Sequence, residues 1–382
     1  MATKKAAFIH SAELENFSYP EHCPFDTDRA GRVRKVLKSM GLLSGQGRSE
    51  VAPVAARREV LRKFHSTGYL HALRDAARGR WKVEMLGMGI GTVDCPVFAG
   101  MHDYPVLATG GTLTAAELIL SGSAAVAFNP SGGFHHAGPE HASGFCYIND
   151  VALACIVLAE KGKRVLYLDV DVHYGDGVAK AFYERCDVMT VSFHQDPQTL
   201  FPGTGFADEI GAGAGEGYCV NVPLPVDTYD EAYLKAFEAI FPPLAGVFNP
   251  DVFVLQCGAD GLAGDPLAHL QLTNNVYSEV VSHLLTYDKP ILMTGGGGYN
   301  IDNTVRAWSL AWSVLCGAAC DHEASAAIGG VMLESTDWQG GLRDRALAIT
   351  DEQRESVEPA LKTTIKTVQE KVFPIHGLEV PK

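Results

Sequence analysis

Val165-Leu166-Tyr167-Leu168-Asp169-Val170, followed at once by Asp171-Val172-His173-Tyr174-Gly175-Asp176-Gly177, is the stretch on which the fold turns. Its first half is almost continuously apolar rather than alternating, the pattern of a strand buried on both faces. Its second half is a polar, glycine-containing loop at the strand's carboxyl end. The same unit recurs outward in both directions, in the runs Ala6–His10, Ala124–Phe128, Val188–Phe193, Tyr218–Val222, Asp251–Gln256 and Pro290–Thr294. Helical periodicity fills the intervals Asp103–Leu120, Asn149–Glu160, Asp230–Phe241, Thr273–Leu285 and Asn303–Leu315, with capping residues at their starts. Strand, helix, strand in this order predicts an α/β domain with a mostly parallel central sheet and helices on both faces. Asp26–Leu43 reads as a basic-faced helix, Gly45–Ala56 as a loop and Asp351–Phe373 as an outer amphipathic helix. The pattern weakens after about Gly317, which predicts one domain over 1–316 and an extension, 317–382, packed on it.

Composition sets the limits of function. The 382 residues are 47% hydrophobic and 20% charged, a globular composition, and the 40 glycines exceed the usual share. A formal net charge of -14 argues against direct nucleic-acid binding and suits a cationic substrate. The opening MATKKAAFIHSAELENF lacks the apolar core of a secretory signal, and no run reaches the roughly 18 apolar residues of a membrane span. The nine cysteines are scattered without a CxxC pair, which predicts reduced thiols, a cytoplasmic setting and no zinc-thiolate site.

In parallel sheets, ligands bind outside the carboxyl ends of the strands. Five strand ends carry NPSGGFHHAGPEHASGFCYIND, DVHYGDG, HQDPQTLFPGTG, CGADGLAGDP and GGGGYN. Asp171 and His173 lie two apart on extended chain, so their side chains share a face and suit two ligands of one metal. Asp169 has the same parity but sits deeper, where a carboxylate needs a partner. A third ligand is available from Asp260 or from Asp265, both in turns after the Asp251–Gln256 run. Two carboxylates and an imidazole with an open position form a catalytic ligand set for zinc or a similar cation. His135-His136 follow Gly132-Gly133, with Asp169 and Asp176 available to orient them. Tyr299 follows Gly295–Gly298 and offers a phenol to a developing oxyanion. No GKS/T follows these glycines, which excludes a phosphate-binding P-loop.

At these residues the chain resembles the zinc-dependent histone deacetylase family, which includes acetoin-utilisation proteins and acetylpolyamine amidohydrolases. The segments SGGFHHA, SGFCYIND, LDVDVHYGDGV, FPGTG, LQCGADGLAGDPL and GGGGYN carry the resemblance, in the family's order, from about Arg29 to Trp312. The motifs look like those of class I members, in a prokaryotic setting. The resemblance implies an arginase-type fold and zinc held by Asp171, His173 and Asp260 rather than Asp265. It implies a tandem-histidine acid/base, His135 and His136, with Asp169 and Asp176 as partners, and Tyr299 as the transition-state donor. It also implies an acyl-lysine tunnel walled by Phe145 and Phe201 beside Gly144, with Leu267 and Asp94 at the rim and Arg29 by an inner acetate cavity. A structural potassium ion would sit at Asp169, Ser192 and the backbones of Asp171, His173 and Phe193, and a second near Phe182, Val188 and Tyr218. The implied activity is deacylation of acyl-lysine in proteins or peptides, without membrane or nucleic-acid partners. The alternatives are a deacetylase of small amides such as acetylpolyamines, an arginase-like two-manganese hydrolase, and a non-catalytic acyl-lysine reader.

Overall fold

The computed structural model describes residues 5–318 and 341–381. Eight strands form one sheet: β1 (Ala6–Ile9), β2 (Arg48–Val51), β3 (Val126–Asn129), β4 (Val165–Asp169), β5 (Val188–Gln195), β6 (Cys219–Leu224), β7 (Val252–Gln256) and β8 (Ile291–Thr294). Their order is β2-β1-β3-β8-β7-β4-β5-β6, and every pairing between them is parallel. The helices are α1 (Asp28–Ser39), α2 (Arg58–Leu61), α3 (Thr67–Ala77), α4 (Asp103–Leu120), α5 (Asp150–Glu160), α6 (Asp176–Phe182), α7 (Asp230–Phe248), α8 (Asn274–Thr286), α9 (Ile301–Leu315) and α10 (Asp351–Val372). This is the α/β domain with a parallel central sheet expected from the alternation.

The period-2 geometry of a strand divides the core in two. Leu166 and Leu168 of β4 face the layer built from α1, α7, α8, α9 and α10. Val165 and Tyr167 face the layer of α4, α5 and α6. Strands buried on both faces have no room for alternation, hence the continuous apolar runs. Side-chain caps start several helices: Asn149 accepts from the Ala152 N–H at α5 and Asn300 from the Asn303 N–H at α9.

Two expectations are corrected. Gly45–Ala56 is not all loop, because Arg48–Val51 pairs in parallel with β1 as an edge strand. Its residues are half-buried or exposed, so backbone hydrogen bonding holds it and no apolar run marks it. The helix read over Asp230–Phe241 continues through Pro242-Pro243 to Phe248. Burial of Leu244, Ala245 and Phe248 offsets the two lost N–H donors. In α10, Val357, Leu361, Val368 and Val372 bury into the same core as α7, and Tyr229 donates to Glu358 at 3.0 Å. Much of the expected extension, 319–340, lies outside the described residues, as does Cys320.

Register aligns polar residues that close β3, β8, β7 and β4 in one row, which Ser192 extends into the middle of β5. Asn129 pairs with Thr294, Thr294 with Gln256, Gln256 with Asp169, and Asp169 with Ser192. The chemistry-bearing loops leave the sheet from this row.

Candidate active site and metal centre

The expected ligands meet just beyond β4 and β7. His173 Nδ1 lies 2.9 Å from Asp260 Oδ2 and 3.3 Å from Asp171 Oδ1. Donor atoms of all three lie within 4.8 Å of one another, and all three side chains are buried. Buried carboxylates need a cation. Among the described residues no lysine or arginine pairs with this couple; the ion-pair partners are His173 and, at 3.8 Å from Asp171, His135. The electrostatics express the same need. Burial and the Asp171 carboxylate push Asp260 up to about 7. Burial would lower His173, but Asp260 and Asp171 outweigh it and push it up to about 10. Burial would raise Asp171, yet His135, His173 and the Gly297 N–H hold it well below the usual carboxylate range. Two anions and an imidazole thus hold a proton where a divalent cation fits. Glycines make the space: a Cβ on Gly258 would lie 1.9 Å from Asp171 Oδ2, and one on Gly297 1.9 Å from Asp260 Oδ2. Asp265 stands outside the cluster.

The tandem histidines are oriented as expected. His135 Nδ1 lies 3.0 Å from Asp169 Oδ2, and His136 Nδ1 2.8 Å from Asp176 Oδ1. The two Nε2 atoms approach to 3.0 Å, so a hydrogen bond between them requires one proton held between two lone pairs. Burial would lower His135, but the Asp169 and Asp171 carboxylates push it up to about 9. Burial and the neighbouring His135 lower His136 to about 4. One imidazole therefore carries the proton near pH 7 and the other stays neutral, as a general base must. Asp169 is fully buried, whereas the Asp176 side chain is one-third exposed.

Tyr299 stands edge-on to His173, with ring centroids 6.4 Å apart, and edge-on to Phe145 at 5.7 Å. Burial and the Asp260 and Asp171 carboxylates raise its phenol well above 10, so it remains an O–H donor. Phe201 packs edge-on against His136 at 5.0 Å and against His173 at 6.4 Å. Phe145 and Phe201, the expected tunnel walls, thus border one set of groups. Gly144 (φ +53°) admits His136, since a Cβ there would lie 2.4 Å from the imidazole Cδ2. Asp94 Oδ2 accepts from the Gly144 N–H at 2.8 Å, which ties the Asp94 loop to the loop of Gly144 and Phe145. Arg29 lies between Phe25 and Trp308 and donates to the carbonyls of Gly298 at 2.7 Å and Gly296 at 3.0 Å, fixing the loop that ends in Tyr299. Leu267 is half-buried and joins the site through Asp265, whose Oδ1 accepts its N–H. Asp169 and Ser192 are register partners on β4 and β5, and the Ser192 hydroxyl lies 2.8 Å from His194 Nδ1. Val188 opens β5 at the opposite end of that strand.

Several contributors escape sequence reasoning. Asp150 is buried and accepts the Gly133 and Phe134 N–H groups and the Thr112 hydroxyl, shaping the loop that presents His135. In sequence it is one more acid in a helix's first turn. Asn149 donates to the carbonyls of His135 and Ala137 while its own N–H bonds His65. Gln256 donates to the Gly133 carbonyl at 2.8 Å. Asp265 accepts the Tyr299 N–H at 2.7 Å and the Asn300 N–H at 3.2 Å, so the rival ligand is a positioning residue. A polar residue closing an otherwise apolar strand, as at Gln256, is the one sequence signal that pointed to such a role.

Known proteins resemble this chain in sequence and in fold. Residues 23–315 match the histone deacetylase domain profile. The chain is 39% identical over 322 residues to "Histone deacetylase 8" of Xenopus tropicalis, covering 83% of this chain and 85% of that one. It is equally 39% identical over 328 residues to the "Acetoin utilization protein AcuC" of Bacillus subtilis, covering 84% of each. Among solved structures, a histone deacetylase homologue from Aquifex aeolicus superposes with a TM-score of 0.83 at 33% identity, over 94% of this chain and all of that one. A second homologue, complexed with SAHA, superposes with a TM-score of 0.86 at 32% identity, over 96% of this chain and all of that one. With residues 23–315, about three quarters of its length, matched by the profile, and with relatives 39% identical over more than four-fifths of the chain, this chain belongs to the histone deacetylase family and is a metal-dependent amidohydrolase of the deacetylase type.

Proposed function

We propose that the protein hydrolyses the acyl amide of N6-acyl-lysine in proteins or peptides. The observation that carries this reading is the convergence of the ligand triad, the two His–Asp pairs and Tyr299, bordered by Phe145 and Phe201. Zinc held by Asp171, His173 and Asp260 would supply an acidified water and a polarised acyl carbonyl. His136, kept neutral, takes the proton of the attacking water, and the histidine pair returns it to the departing amine. The Tyr299 hydroxyl donates to the oxyanion. Phe145 and Phe201 hold the aliphatic stem of the lysine. Asp94 uses one lone pair of Oδ2 for Gly144 and keeps others for substrate backbone N–H groups. Arg29 and Leu267 complete the inner and outer ends of the tunnel.

Potassium is the second cofactor of this reading, at Asp169 and Ser192 with the carbonyls of Asp171, His173 and Phe193, and again near Phe182, Val188 and Tyr218. The catalytic domain is read as 1–316 and the remainder as an extension packed on it, which the burial of α10 supports. A cytoplasmic setting accords with the lack of any disulfide among the described residues.

The test compares kcat/KM for an acetyl-lysine peptide and for N-acetylputrescine, in wild type and Asp94→Ala. The expected result is a peptide preference that Asp94→Ala reduces. A polyamine preference, with Asp94→Ala slowing both substrates equally, would replace this reading by small-amide deacetylation.

A further inference from the structure

We infer that residues Trp81–Val97 form an apolar rim beside the active-site mouth that selects substrates with an apolar residue next to the acyl-lysine; this rests on the acyl-lysine reading above. Of the ten exposed large hydrophobic side chains among the described residues, five fall in this short stretch: Trp81, Val83, Leu86, Val93 and Val97. Val93 is 88% exposed and immediately precedes Asp94. Exposed apolar clusters of this kind mark interaction surfaces.

The patch is held rigidly. Trp81 Nε1 donates to the Ile90 carbonyl at 2.9 Å, and its indole covers Gly91, where a Cβ would lie 2.6 Å from Nε1. The Gly91 N–H bonds the Cys95 carbonyl, and the Ala142 N–H bonds the Met88 carbonyl. Gly89 (φ +72°) abuts the Ala142 carbonyl so closely that a Cβ would lie 1.9 Å from it. With the Asp94–Gly144 bond, these contacts fasten the rim to the loop that carries Gly144 and Phe145. The apolar surface is thus continuous with the proposed tunnel, and its occupant is the substrate chain flanking the inserted lysine.

The experiment measures kcat/KM on four substrates: an unflanked acetyl-lysine amide, and Gly-, Ser- and Leu-flanked acetyl-lysine tripeptides. Wild type should prefer Leu over Gly and Ser by about fivefold, the gain of partly burying a few methylenes. The Leu86→Ser/Val93→Ser double variant should reduce the Leu/Gly ratio to about one. A Leu/Gly ratio near one in wild type, or one unchanged in the double variant, overturns the inference. A wild-type dimer that the double variant dissociates also overturns it, by assigning the patch to a second copy. If wild type hydrolyses none of the four, the acyl-lysine reading fails instead.

Discussion

Asp265→Asn isolates positioning from metal binding. Asp265 is nearly buried, and its carboxylate gathers three backbone N–H groups: Tyr299 at 2.7 Å, Asn300 at 3.2 Å and Leu267 at 2.9 Å. An asparagine has one oxygen for the two sites. Its NH₂ must face donors on one side, so at least one charge-assisted bond is lost and another is weakened. Each such bond contributes about 1.5–3 kcal/mol. If about 3 kcal/mol of restraint on the Tyr299 loop is lost, productive placement of the phenol falls by roughly a hundredfold. The expected outcome is a kcat lowered by about 10- to 100-fold, little change in KM and full metal content. Metal analysis alongside steady-state kinetics on an acetyl-lysine peptide separates the possibilities. Wild-type kcat in Asp265→Asn would refute the positioning argument, and loss of the metal would return Asp265 to the ligand set.

Asp260→Ala should lose the catalytic metal and with it activity, measured by elemental analysis and turnover; full metal content with full activity would remove Asp260 from the site. Tyr299→Phe should keep fold and metal but lose about 10²–10³ in kcat, the usual cost of deleting an oxyanion donor, and wild-type turnover would exclude that role. Burial lowers His65 to about 4 from 6.5, so between these values the unfolded chain binds a proton that the folded chain does not. Stability is therefore complete above pH 6.5 and declines as the pH falls toward 4, by about 3 kcal/mol for this group. His65→Gln should flatten that dependence in urea unfolding at pH 7.5 and 5; an unchanged slope would show that the acid sensitivity arises elsewhere.

The interior strands were legible in sequence because burial on both faces forces continuous apolar runs, as at Val165–Leu168. The edge strand β2 was not, because Arg48-Ser49-Glu50-Val51 is held by backbone pairing alone. The metal and histidine groups were legible as polar residues at apolar strand ends. Their choice was only partly so: by pattern alone, Asp260 and Asp265 were equivalent turn acids. What separates them is which amides face each one, and the Tyr299 N–H lies 34 residues from Asp265. Asp150 and Asn149 likewise resemble ordinary helix-start residues until the 133–137 loop folds over them.

The strand order has a consequence for how the chain reaches its active form. β3 and β4 are consecutive in sequence, yet β8 and β7 lie between them. A chain emerging from the ribosome thus completes β4, with Asp171 and His173 just beyond it, while the neighbouring slots stand open and wait for more than eighty further residues. Non-local insertion of this kind is slow and leaves unpaired edges exposed to other chains. Asp260 arrives with β7 and Tyr299 only after β8, so no shorter nascent intermediate has both the complete ligand triad and the phenol. Enzymatic competence in this molecule is a readout of finished assembly.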